Sequence, residues 1–130
     1  MKLPPYAAFL GITEEPDPAG KSPVLLMPFG DDLVGRPGFV HGGVIGGLLE
    51  MAAIVALRCA LGEEDKSRIK PINVTVDYMR GGLDRPTRAI GTVERLGKRI
   101  ANVDAIAWQD DRTRPIAAAR MNFLIVRNPV

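Results

Sequence analysis

An α+β domain, in which an antiparallel sheet of about six strands wraps around one long central helix, is the fold class this sequence predicts. Three features carry it. From Val44 to Leu61 only Glu50 and Arg58 are charged, and a helix that is apolar on all sides needs packing around it. Ile72, Val74, Val76 and Tyr78 alternate with Asn73, Thr75 and Asp77, the period of a half-buried strand. Beyond them, strand-forming runs are separated only by short turns, which predicts an antiparallel meander.

The elements follow in order. Lys2, Pro4 and Pro5 open the chain with no apolar stretch of the kind a secretion signal carries, so a soluble cytoplasmic protein is expected. Ala8 to Glu14 and Ser22 to Phe29 read as a hairpin whose loop is Glu14 to Gly20. The helix begins after His41-Gly42-Gly43 and stops at Gly62, a residue suited to ending helices. Its length approaches the roughly 20 residues that cross a bilayer, but Glu50 lies near its middle and four glycines crowd its start. Gly46 and Gly47 are expected to let another backbone approach closely. Past Tyr78, Gly81-Gly82 and Pro86 break the chain, and strands are expected at Thr87 to Leu96, Arg99 to Gln109 and Ile116 to Val126. Gly97-Lys98 and Asp110-Asp111 mark the turns between them, and Asn128-Pro129 marks the end. Residues 1–130 thus read as a single domain, long enough to bury one core.

Composition excludes several function classes. A net charge of +2 and seven aromatic residues argue against nucleic acid as a partner. Cys59 is the only cysteine, which rules out an internal disulfide or a cysteine cluster for zinc; set among apolar residues, it reads as a buried, reduced thiol. No metal or redox cofactor and no membrane partner are expected. Arg80 to Arg99 holds six basic residues against Asp84 and Glu94, which reads either as solvated strand edges or as a rim for phosphates.

Chemistry concentrates at the start of the helix. Glycines there leave backbone N–H groups bare, and the helix dipole adds partial positive charge, so Gly42 N–H is suited to polarise a carbonyl oxygen. Glu50 adds a carboxylate on the same helix, the second half of an acyl-transfer site. Alternatively, Glu50 is a structural ion-pair partner of Arg58 or of a strand arginine. The eight residues from Gly42 to Glu50 span roughly 12 Å of helix, too far for both groups to act on one carbonyl. Two antiparallel helices related by a twofold axis would bring Gly42 of one chain to Glu50 of another, giving two equivalent sites per dimer.

The run Gly38-Phe39-Val40-His41-Gly42-Gly43-Val44-Ile45-Gly46-Gly47-Leu48-Leu49-Glu50 resembles the signature of hotdog-fold acyl-CoA thioesterases of the phenylacetate-pathway (PaaI-like) type. Asn73 to Arg80 is similar to that family's first long strand, and Arg95 to Arg99 to its next turn. The resemblance implies the hotdog fold, a homodimer or dimer of dimers with sites shared between subunits, and hydrolysis of an acyl-CoA to an acid and free coenzyme A. Carried onto this chain, it implies Glu50 as base or nucleophile, Gly42 N–H as oxyanion donor, and His41 as a positioning or proton-transferring residue. Gly43, Asn73, Arg80, Lys98 and Arg99 are then candidate substrate contacts, with Arg85 and Arg88 completing a basic rim for the phosphates. A non-catalytic acyl-CoA binding or sensing protein of the same fold is the alternative. The chain departs from the family pattern where relatives carry auxiliary polar residues: Gly35, Ile54 and Pro71 stand at those positions.

Overall fold

The computed structural model describes residues 3–127, so Lys2 and the Asn128-Pro129 end lie outside it. In chain order the elements are α1 (Pro5–Phe9), β1 (Thr13–Glu15), β2 (Val24–Met27), a single 3-10 turn (Asp31–Leu33), α2 (Gly42–Leu61), β3 (Arg68–Tyr78), β4 (Thr87–Leu96), β5 (Ile100–Trp108) and β6 (Ala117–Val126). The strands form one six-stranded sheet in the order β1-β2-β4-β5-β6-β3, and every neighbouring pair is antiparallel. This is the expected hotdog architecture, with β4-β5-β6 as the meander and β3 returning to pair with β6.

Nine side chains of α2, among them Leu48, Leu49 and Val55, are buried. The helix is long and apolar enough to cross a membrane, yet here it is the core that the sheet wraps. Small residues let it sit close. Ala89 on β4, Ala101, Ala105 and Ala107 on β5, and Ala117 and Ala119 on β6 are buried. A Cβ on Gly91 would stand 2.5 Å from the Ala52 carbonyl oxygen. Within the chain the close backbone approach therefore falls at Gly91; Gly46 instead faces the Tyr78 hydroxyl and Gly47 the Tyr6 ring.

Four other expectations change. The segment expected to begin a strand at Ala8 starts as α1, because Pro5 supplies a fixed φ and no N–H where a helix needs none. Gly11, at φ 73°, then turns the chain into a shortened β1. The first long strand, β3, begins at Arg68, four residues early, and carries a bulge: Pro71 pairs with Phe123 and Asn73 with Asn122, leaving Ile72 out of register. A proline is tolerated there because β3 is an edge strand. Cys59 is exposed and not buried, since it lies in the last turns of α2, beside the part of β4 that β2 does not reach. Desolvation by its neighbours, with the charge of Glu14, pushes its thiol up. Finally, α2 is not covered all round. Gly46, Glu50, Ile54 and Arg58 form a half-buried stripe, because the sheet ends at β3 and nothing among the described residues closes over that side.

Candidate active site

His41 ends the loop before α2 and caps the helix. Its Nδ1 accepts from Gly43 N–H at 2.9 Å, which satisfies one of the bare donors of the first turn. In the neutral ring the proton therefore sits on Nε2. The His41 carbonyl takes Val44 and Ile45 N–H, and Gly42 N–H is left with no acceptor among the described residues. The loop is held from outside: His41 N–H donates to Leu33 O and Val40 N–H to Gly82 O, both at 2.8 Å. Gly35 lies against it, where a Cβ would come within 3.0 Å of His41 Cα. A Cβ at that position would require the histidine backbone to give by a few tenths of an ångström.

Two groups that sequence patterns do not mark complete the surroundings. Tyr78, at the end of β3, donates its hydroxyl to the Gly42 carbonyl at 2.8 Å and lays its ring against Gly42. Its place in the alternating strand was legible, but its contact with the helix start arises only because β3 ends beside it. The Arg36 guanidinium stacks 4.2 Å above the Phe39 ring, a cation–π contact. His41, Gly42, Tyr78, Arg36, Phe39 and Arg80 line a cavity of about 420 Å³ at the helix start.

Glu50 is half-buried on the uncovered stripe of α2. Among the described residues it takes no hydrogen bond and no ion pair; Arg58 does not reach it. Val74, Val76 and Tyr78 stand opposite Met121, Ala119 and Ala117, residues that face α2, so they share that face. Ile72, Val74, Tyr78 and Met79 are nonetheless 46–53% exposed. A helix stripe with an unpartnered carboxylate thus adjoins a strand with bare apolar side chains.

The candidate substrate contacts fall in three places. Gly43 and Arg80 lie at the helix start, where Arg80 also donates to Pro115 O. Asn73 is on the other side of the sheet, in an amide ladder in which Asn122 donates to Asn73 at 2.8 Å and Asn102 donates to Asn122. Lys98 and Arg99 sit at the β4–β5 turn, where Lys98 O accepts from Arg127. The continuous basic rim does not form. Arg85 pairs with Asp110 and Arg88 with Glu15, and the hydrogen bonds from Arg88 hold the Glu15 carboxyl below its ordinary value. Charges close in sequence are separated here because Arg85 and Arg88 stand at the start of β4 and Lys98 and Arg99 beyond its end, a ten-residue strand apart.

A family model described as the Thioesterase superfamily matches residues 37–116. Among solved structures, a Chromobacterium violaceum protein is 33% identical with a TM-score of 0.76, over 97% of this chain and 85% of its own. A phenylacetic acid degradation-related protein of Ralstonia eutropha JMP134 is 23% identical with a TM-score of 0.79, over 95% of this chain and 92% of its own. A Bacillus halodurans protein solved with CoA is 20% identical with a TM-score of 0.79, over 95% of this chain and 79% of its own. The last two likenesses show the fold. No curated protein matches.

Proposed function

The chain belongs to the thioesterase superfamily, and from that premise we propose that it hydrolyses an acyl-CoA to a carboxylic acid and free coenzyme A, as a PaaI-like enzyme. The carrying observation is the pair of unsatisfied groups on one helix: among the described residues, Gly42 N–H has no acceptor and the Glu50 carboxylate no partner. Gly42 N–H receives the thioester oxygen, and the dipole of a twenty-residue helix adds to its pull. Glu50 of a second chain takes a proton from the attacking water, or attacks the carbonyl itself. The carbon–sulfur bond then breaks. On the first route Glu50 returns its proton to the departing sulfur, giving the acid and free thiol. On the second the sulfur takes a proton from water and another water hydrolyses the acyl–Glu50 anhydride, releasing the acid and restoring the carboxylate. His41 serves as a positioning residue, since its Nδ1 holds Gly43 and shapes the first turn.

A second chain is needed because roughly 12 Å of helix separates the two groups. The uncovered α2 stripe and the exposed Val74 and Tyr78 supply the surface on which it docks, giving a homodimer with two shared sites. Lys98 and Arg99, which pair with no carboxylate among the described residues, are the phosphate contacts.

Thiol release measured with a chromogenic reagent over short, medium, aromatic and long acyl-CoAs tests the reading. Turnover of at least one member is expected, together with a loss of about 10³-fold or more in Glu50→Ala. Tight binding without release from any member would favour the non-catalytic acyl-CoA binding protein instead. Turnover intact in Glu50→Ala would overturn the mechanism.

A further inference from the structure

We propose that the acyl group accepted at this site carries a carboxylate, held by Arg36 and Arg80; the inference rests on the thioesterase reading and adds the substrate class. Both residues line the cavity at the start of α2, beside Gly42, and no carboxylate lines it. The ion pairs among the described residues take up Arg85, Arg88, Arg112 and Arg127, but neither Arg36 nor Arg80. Both guanidinium groups are also held in place by neutral partners. Arg36 is stacked on Phe39, whose ring in turn packs against Gly81, where a Cβ would come within 2.7 Å of it. Arg80 donates through one Nη to Pro115 O. Both side chains are exposed at the mouth of the cavity, and among the described residues the in-plane N–H donors of Arg36 and the remaining donors of Arg80 take no acceptor. Such forks match carboxylate geometry two bonds at a time.

Distance decides which part of an acyl-CoA these donors meet. A cavity of about 420 Å³ is about 7 Å across if taken as a cube. The thirteen or so bonds from the thioester sulfur to the first phosphorus of coenzyme A span about 15 Å when extended. With the carbonyl on Gly42 N–H, the phosphates lie beyond the cavity unless the arm folds back on itself. With the arm extended, an anion within reach of Arg36 belongs to the acyl side, a few carbons from the carbonyl. Charge agrees with this: two guanidinium groups against one incoming Glu50 leave a net positive cavity that favours an acidic acyl chain over an aliphatic one.

The test compares glutaryl-CoA with hexanoyl-CoA on the wild-type protein and on Arg36→Gln and Arg36→Lys. The expected result is a kcat/KM at least about 10-fold higher for glutaryl-CoA, a ratio that falls about 10-fold in Arg36→Gln and recovers in part in Arg36→Lys. A wild-type ratio near one overturns the inference while leaving the thioesterase reading intact. An equal loss for both substrates in Arg36→Gln also overturns it, because it would assign Arg36 to coenzyme A. Should no thiol be released from either substrate or from the wider panel, the thioesterase reading fails. The same ratio is then read from wild-type binding constants by calorimetry, where equal affinities overturn the inference on their own.

Discussion

Tyr78 ties the end of an edge strand to the first turn of the core helix through one hydroxyl, which donates to Gly42 O at 2.8 Å. A single such hydrogen bond contributes about 1 kcal/mol. If it holds Gly42 in the orientation the thioester oxygen meets, its loss appears in turnover more than in binding. Tyr78→Phe is expected to lower kcat about fivefold with KM nearly unchanged; a rise in KM at constant kcat would assign the hydroxyl to substrate binding. Gly42 and Glu50 were legible as residues because a glycine at a helix start and a lone carboxylate in an apolar run each violate the local pattern. Arg36 and Tyr78 violate nothing in sequence. They become candidates because a loop and a strand end are folded against the same helix turn.

At the level of elements, the contact between α2 and β4 turns on Gly91. The buried alanines of β5 and β6 already keep the sheet thin against the helix, and β4 comes closer still. The atom a Cβ would meet is a backbone oxygen, which cannot rotate away. Gly91→Ala is therefore expected to destabilise the fold by about 1–3 kcal/mol or more, the cost of overpacking, read as a lower denaturant midpoint at constant slope. The breaks at Pro86 and Gly97-Lys98 placed Thr87–Leu96 as a strand with its ends correct. It did not reveal which glycine meets another backbone, since that depends on which strand the helix crosses. The early start of β3 and the helical Pro5–Phe9 were obscured for a local reason: Pro71 argues against a strand, and only pairing with β6 at an edge overrides it.

For the whole molecule, the exposed length of β3 is the dominant surface feature. An eleven-residue edge strand with Ile72, Val74 and Tyr78 bare is a surface that proteins ordinarily cover. A second copy would cover it and bring the two halves of the site together in the same step. Val74→Glu places a charge in the middle of that surface, at a position 46% exposed, and circular dichroism is expected to show that the chain still folds. The expected outcome is a folded monomer by sedimentation with thiol release reduced to background; a monomer that retains full turnover would sink the shared site.

The sequence by itself determined the fold class, the long helix with its glycine entrance, and the distance from Gly42 to Glu50, because periodicity and helix rise are local properties of the chain. Tertiary structure decided what surrounds those two groups. It paired Arg85 and Arg88 with carboxylates, turned Asn73 to the far side of the sheet, exposed Cys59, and set Arg36 and Arg80 in the cavity at the helix start. Each of these depends on which strand lies next to which. That follows from the β1-β2-β4-β5-β6-β3 order, a long-range outcome of packing that no local pattern encodes.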